Sequence, residues 1–116
     1  MTIGSKVSHV SALAFSAALL AVTATAADAK CSQYGKVRSQ ASDTEVEVEL
    51  VNRTNEPVFV YWIDYDGVLK PKEQLEPGQS KWHNSYVSHP FVIIDGDNRC
   101  RALTVVKAST RRVVAR

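Results

Sequence analysis

Several features that would place the chain in a common functional class are scarce or missing. It has only two cysteines in 116 residues, with no Cys-x-x-Cys pair and no histidine near either in sequence, which argues against a zinc site. No segment after residue 30 has sustained helical periodicity, which disfavours an α-helical domain. A charge excess is also missing: residues 30–116 carry thirteen basic and eleven acidic side chains, so we expect no nucleic-acid partner.

The longest apolar run lies near the amino terminus and is too short to span a membrane. Lys6 precedes an Ala- and Leu-rich stretch over residues 10–22, and small residues follow that stretch. This pattern is typical of a secretory signal peptide over residues 1–29, with cleavage expected after Ala26 or Ala29. We therefore expect a secreted or periplasmic protein without a stable membrane anchor.

The remaining chain is long enough for one domain with a modest core. Residues 45–51 alternate between glutamate and apolar side chains, which predicts a half-buried strand. Residues 57–65 are apolar on both faces and predict a central strand, whereas residues 68–80 hold two prolines and predict a loop. Further short strands are predicted over residues 81–86, 90–95, 101–107 and 111–115.

Turn residues separate these strands. Asp66-Gly67 and the DGDN sequence at 95–98 predict tight hairpin turns, and Pro77-Gly78 predicts a type II turn. The two aspartate-rich turns lack the distal glutamate of a calcium loop, so no metal site is expected. The pattern predicts an all-β fold, a small β-sandwich of about seven short strands, or a small barrel. We divide the mature chain into a polar amino-terminal segment, 30–43, and a β domain, 44–116.

The two cysteines, Cys31 and Cys100, both follow the expected cleavage sites. An even pair in an oxidising compartment predicts one disulfide, which would tie the start of the mature chain to a strand near its end. Closing so long a loop is expected to stabilise the folded state by about 4 kcal/mol in the chain-entropy description.

Trp62, Ser85 and His89 are the residues with the clearest chemical potential. Trp62 lies in the predicted central strand and belongs either to the core or to the wall of a groove. Ser85 and His89 lie four residues apart across a turn, so both can hydrogen-bond one small group. A hydrolytic pair would need an orienting acid and an oxyanion hole, and no glycine-rich elbow surrounds Ser85, so we expect no enzyme activity. A local cap of the turn is the alternative role.

The block from Asn52 to Phe91 resembles the β domain of the von Hippel-Lindau tumour suppressor family. The shared pattern runs without a gap and begins with Asn-Arg-Ser/Thr at Asn52 and Trp62 ten residues later. It continues with aromatic-Asp-Gly at 65–67, Leu-x-Pro-Gly at 75–78 and Ser-Tyr-x-x-His-x-aromatic at 85–91. An Arg-Ser pair, Arg38 and Ser39, lies at the matching place upstream, and the likeness covers about residues 38–107.

The resemblance implies a β-sandwich that binds a peptide bearing 4-hydroxyproline or a similar hydroxylated group. Trp62 would form the floor against the pyrrolidine ring, and Ser85 and His89 would hydrogen-bond the ring hydroxyl. Tyr86 would help to wall the pocket, with Phe91 where the family often has a second tryptophan. The expected partner is a peptide or protein ligand, and neither a cofactor nor a metal is implied.

The sequence departs from the family pattern in the part that holds the peptide. Lys72 stands where the family has a tyrosine that contacts the peptide backbone, and Ala41 and Asp43 stand where it has an asparagine and an arginine. No helical α domain follows the block before Arg116, so no ubiquitin-ligase adaptor is expected as a partner. The alternative function is a structural or protein-interaction domain in which the pocket residues only determine the fold.

Overall fold

The structure is a computed structural model that describes residues 31–116, and its regular structure is nearly all β. Seven strands follow in chain order: β1 Glu45–Asn52, β2 Val58–Ile63, β3 Leu69–Leu75, β4 Ser80–Tyr86, β5 Pro90–Asp95, β6 Cys100–Val105 and β7 Arg112–Ala115. The all-β prediction is confirmed. The predicted signal peptide, 1–29, lies outside the described residues. No helix within the described part is both long and apolar enough to cross a membrane.

The strands form two sheets that pack against each other. One sheet has the order β4-β1-β7 and the other the order β3-β2-β5-β6. Among the strands of residues 31–116, only the β1–β7 pairing is parallel, and the other pairings are antiparallel. The core between the sheets consists of buried side chains from both of them, among them Val48, Leu50, Val58, Val60, Leu75, Phe91, Ile93 and Val113. The alternation along residues 45–51 therefore directs the apolar face of β1 into the core, as predicted.

β5 is buried on both of its faces, whereas the predicted central strand, β2, leaves Phe59 and Tyr61 half-buried. A second apolar cluster covers the outside of the four-stranded sheet. Its buried members are Ile63, Val92, Ile94 and Leu103. Tyr34 and Val37 from the amino-terminal segment pack against this cluster. The disulfide Cys31–Cys100, with its Cα atoms 5.9 Å apart, fastens that segment to β6 and confirms the predicted bond.

The prediction of a loop over residues 68–80 was wrong for its first half, where β3 forms. Pro71 and the lysines on either side gave no alternating pattern, because β3 is an edge strand exposed along most of its length. An edge strand tolerates proline and favours lysine, since one row of its backbone groups needs no partner. The Pro77-Gly78 turn is confirmed: Gly78 has φ +81°, and the Gln79 amide donates to the Glu76 carbonyl at 2.9 Å.

Two aspartates stabilise the two hairpin turns in the same way. Oδ1 of Asp64 accepts the amides of Asp66 and Val68 at 2.8 and 2.9 Å. Oδ1 of Asp95 accepts the amides of Asp97 and Arg99 at 2.9 and 3.0 Å. The backbone hydrogen bonds that Asp95 accepts, above all the one from Arg99, lower the pKa of Asp95 to about 2, although the burial of its carboxylate acts in the opposite direction. Both sequences are thus turns, as predicted.

Candidate ligand-binding site

A pocket of about 240 Å³ opens between the two sheets, where β4 of one sheet approaches β2 and β3 of the other. Eight residues line it: Trp62, Tyr65, Lys72, Asn84, Ser85, Tyr86, His89 and Phe91. The five residues singled out in the sequence, Trp62, Ser85, Tyr86, His89 and Phe91, are therefore brought together. Ala41 and Asp43 are exposed and do not belong to this lining.

Trp62 belongs to the core edge and to the pocket at the same time. Its ring packs against the core cluster and also lines the pocket. Of the two positions considered for Trp62, the core and the wall of a groove, each is therefore partly correct. The indole Nε1 donates to the Ser39 hydroxyl at 2.8 Å, and that hydroxyl donates to the Ile63 carbonyl at 2.6 Å. Because the polar edge of the ring is bonded to the protein, the orientation of the aromatic surface is fixed.

His89 is enclosed by aromatic rings. It stacks on Trp62 with a centroid distance of 5.5 Å and an interplanar angle of 27°, while Tyr65 and Tyr86 both lie at 5.4 Å. Its Nε2 lies 3.2 Å from the hydroxyl oxygen of Tyr65. Burial lowers the pKa of His89 below its usual range, although a hydrogen bond with the backbone of Gln40 acts in the opposite direction. The imidazole is therefore neutral at pH 7, and one of its nitrogens can accept a hydrogen bond.

The turn that carries His89 is held by several hydrogen bonds. Ser88 has φ +77°, which is uncommon for a residue with a side chain. The His89 amide donates to Tyr86 O at 3.1 Å, and the Ser88 amide donates to Val106 O at 2.7 Å. The Ser88 hydroxyl also donates to the Gln40 carbonyl at 2.9 Å. A strained backbone conformation of this kind persists where the surrounding contacts hold the residue firmly. Here the strained turn positions His89 at the pocket.

Ser85 differs from the other polar residues of β4 that point into the sandwich. In the register of β4 with β1, Lys81, His83 and Ser85 lie opposite apolar residues that face inward. Lys81 and His83 both contact Glu73 of the opposite sheet at 3.0 Å. Ser85 is only 4 % exposed, and its hydroxyl has no hydrogen-bonding partner within residues 31–116. The turn before His89 is closed by a backbone hydrogen bond and does not use the Ser85 hydroxyl. The structure therefore does not support the alternative role of Ser85, in which its side chain caps this turn.

Phe91 and Tyr86 form apolar walls. Phe91 is 2 % exposed, belongs to the core cluster and pairs with Trp62 across β2 and β5. Tyr86 is half-buried, and its hydroxyl lies 3.5 Å from a carboxylate oxygen of Glu45 outside the pocket. The pocket thus combines an aromatic floor and walls with a neutral imidazole and a buried hydroxyl, which suits a small ring that carries one hydroxyl group.

Sequence reasoning missed two residues that shape this site. Tyr65 was read only as the aromatic member of a turn motif, yet its hydroxyl reaches His89. Ser39 was placed in a polar leading segment, yet it is 3 % exposed and anchors Trp62. The Arg-Ser pair that matches the family pattern was the available signal for Ser39. No group of three His, Cys, Asp or Glu residues in the described range could hold a metal ion.

Comparison with known proteins agrees with this geometry. A family model described as the VHL beta domain matches residues 37–109, a range that includes Ser39 and every residue lining the pocket. No match was found among curated proteins. Since the family model covers more than half of the chain, the protein belongs to the VHL β-domain family.

Proposed function

We propose that this pocket binds a peptide bearing 4-hydroxyproline or a similar hydroxylated ring. The family is one of peptide-binding domains that recognise hydroxyproline. The observation that carries the proposal for this chain is the hydroxyl of Ser85, which is buried, lines the pocket and has no hydrogen-bonding partner among residues 31–116. Buried hydroxyls are nearly always satisfied in folded proteins, so an unsatisfied one beside a pocket favours a ligand that completes its bonding.

The chemistry of the pocket explains how a hydroxylated ring would be selected. The pyrrolidine ring would lie on the indole face of Trp62, and its hydroxyl would meet Ser85 and His89. In the tautomer that carries its proton on Nδ1, Nε2 of His89 accepts the ligand proton while Ser85 donates to the ligand oxygen. A ligand without the hydroxyl would leave the buried Ser85 hydroxyl unpaired and would leave His89 with the Tyr65 hydroxyl alone, and a site built in this way discriminates against such a ligand.

We further propose that the site binds without catalysing a reaction. Nε2 of His89 faces the phenolic hydroxyl of Tyr65 and not a carboxylate. A nucleophile-base pair needs an acid that orients the base, and none of the residues lining the pocket is acidic.

We also propose that the domain works outside the cytoplasm. The signal-peptide pattern in the sequence and the Cys31–Cys100 disulfide support this location, because disulfides persist mainly in oxidising compartments. The test is fractionation of expressing cells followed by amino-terminal sequencing. We expect an exported protein that begins at Ala27 or Lys30; an uncut chain that remains in the cytoplasm would refute this location.

Binding is tested by titrating the domain with two capped peptides while following tryptophan fluorescence. One peptide has a central 4-hydroxyproline between alanines and the other has proline in its place. We expect the wild type to prefer the hydroxylated peptide by about tenfold or more, and Ser85→Ala to lose most of that preference. Ser42→Ala, which removes a serine hydroxyl outside the pocket, should retain the preference. Equal affinity of the wild type for both peptides would favour the alternative, a structural or protein-interaction domain.

A further inference from the structure

Within the described residues, the pocket contains one cation without an acidic partner, Lys72. Nζ of Lys72 lies over the ring of Trp62, 5.8 Å from its centroid, and no carboxylate among residues 31–116 lies within 4 Å of it. The neighbouring lysines differ. Lys70 approaches Asp64 at 3.7 Å, and Lys81 approaches Glu73 at 3.0 Å. Lys72 is therefore the lysine of this region whose charge no acidic side chain in the described part of the chain compensates.

A β-bulge places Lys72 at this position. In the pairing of β2 with β3, Val60 lies opposite Glu73 and Tyr61 lies opposite Pro71, so Lys72 is the extra residue with no partner in β2. An extra residue of this kind bends the strand and redirects a side chain, and bulges are common beside functional sites. Here the bulge lets Lys72 line the pocket directly after Pro71.

The other residues that line the pocket do not offset this charge. None of the eight is acidic, and His89 is neutral because burial lowers its pKa. Glu45 lies 3.5 Å from the Tyr86 hydroxyl, and Glu73, which follows Lys72 in β3, pairs with Lys81 and His83. The indole face attracts the ammonium group through a cation–π contact, which holds the charge near the position proposed for the ligand ring.

We propose that the ligand of this pocket carries a carboxylate close to its hydroxylated ring, and that Lys72 selects for it. This inference rests on the proposed function and adds a ligand class to it: an acidic peptide in which Asp or Glu adjoins the hydroxylated proline. Ser85 and His89 would hydrogen-bond the ring hydroxyl, and Lys72 would form an ion pair with the carboxylate. Because Lys72 is exposed, its ion pair with the peptide contributes modestly, by about two- to fivefold in affinity at low salt.

Four capped peptides test the inference. Two have a central 4-hydroxyproline flanked on both sides either by aspartate or by asparagine, and two have proline with the same flanks. The domain is titrated with each peptide at low and at high salt. We expect the wild type to favour the aspartate-flanked hydroxyproline peptide about two- to fivefold over its asparagine counterpart, with the advantage shrinking as salt rises.

Matched variants assign the effect to one side chain. Lys72→Gln should remove the advantage of aspartate while the preference for hydroxyproline over proline remains. Lys72→Glu should reverse the charge preference, so that the asparagine-flanked peptide binds better than the aspartate-flanked one. Lys107→Gln removes the same charge from an exposed position outside the pocket and should behave as the wild type does.

The possible failures are distinguishable. If the wild type prefers hydroxyproline but treats both flanks alike, the inference about Lys72 is overturned and the proposed function stands. An aspartate advantage that survives in Lys72→Gln also overturns it. If the proline and hydroxyproline peptides bind equally, or none of the four binds, the proposed function itself fails and the inference fails with it.

Discussion

The indole of Trp62 is anchored to Ser39, a residue 23 positions earlier in the chain. Trp62 Nε1 donates to Ser39 Oγ at 2.8 Å, and Ser39 Oγ donates to the carbonyl of Ile63 at 2.6 Å. The Ser39 amide donates to the Asp64 carbonyl at 3.0 Å. The segment before β1 thus lies along the end of β2, and through Ser39 it holds Trp62, the floor of the pocket, in place.

Ser39→Ala should destabilise the domain and loosen Trp62. It would remove the partner of the partly buried indole N–H and of the buried Ile63 carbonyl, at a cost of about 1–3 kcal/mol. Urea unfolding would measure the loss, and the emission maximum of the folded protein, with the exposed Trp82 replaced by phenylalanine, would report the change around Trp62. Ser42→Ala is the matched control, because its hydroxyl accepts only an exposed amide at 3.2 Å. A loss no larger than in this control would contradict the structural role of Ser39.

Much of the fold could be predicted because its signals are local. The alternation in β1, the apolar run of β2 and the two aspartate turns each lie within one short window of sequence. The pocket residues could be predicted because the Ser-Tyr-x-x-His turn and Trp62 keep a spacing that resembles a known family.

What could not be predicted depends on pairing between distant segments. β3 carries no period-two pattern because it is an exposed edge, so only its pairing with β2 identifies it as a strand. The same pairing contains the bulge that directs Lys72 to the pocket. Tyr65 and Ser39 were missed because their roles come from contacts with His89 and Trp62, which lie 24 and 23 residues away in sequence.

Tyr65→Phe should strengthen binding of the hydroxylated peptide. A neutral imidazole nitrogen has one lone pair, and in the free protein the Tyr65 hydroxyl lies 3.2 Å from Nε2 of His89, where the ligand hydroxyl is expected. Removing the tyrosine hydroxyl removes that competitor and keeps the ring. We expect a gain of about two- to tenfold in affinity, which corresponds to one hydrogen bond, measured by the same fluorescence titration.

The phenylalanine variant has a specific control and a clear contrary result. Tyr86→Phe removes another phenolic hydroxyl at the pocket, one that faces Glu45 and not His89, and should change affinity little. A weaker affinity in Tyr65→Phe would show that the tyrosine hydroxyl contributes to ligand binding instead of competing with it.

His89 should make the domain less stable as the pH falls below neutrality. Its folded-state pKa is lowered by burial, so the unfolded chain binds the proton more readily than the folded one. The stability that depends on neutral His89 is fully present above the unfolded pKa of about 6.5 and is lost as the pH falls through the folded pKa.

Urea unfolding between pH 7.5 and pH 5 measures this dependence. In His89→Gln the same interval should show a flatter profile, because the titrating group is gone. His83→Gln removes a histidine that contacts Glu73 outside the pocket, and it should retain the fall in stability due to His89. Equal slopes for the wild type and His89→Gln would contradict the assignment.

Removing the disulfide should lower stability while leaving the pocket in place. The bond joins residues 69 positions apart, and in the chain-entropy description closing a loop of that length stabilises the folded state by about 4 kcal/mol. Cys31 precedes the residues that cover the outer apolar cluster, so the double variant Cys31→Ser, Cys100→Ser also loosens that cover. Urea unfolding of the double variant, compared with the wild type with and without reductant, measures the loss.

The pocket should survive because Ser39 has its own contacts with the end of β2. The Ser39 amide donates a hydrogen bond to the Asp64 carbonyl, and the Ser39 hydroxyl donates one to the Ile63 carbonyl. Neither hydrogen bond involves the disulfide, so Trp62 stays anchored when the first residues loosen. We therefore expect the folded double variant to keep the Trp62 emission maximum and the preference for hydroxyproline. A loss of stability below about 1 kcal/mol would show that packing of the amino-terminal segment, and not the covalent bond, holds it on the sheet. A shifted emission maximum in the folded variant would instead show that the disulfide positions Ser39.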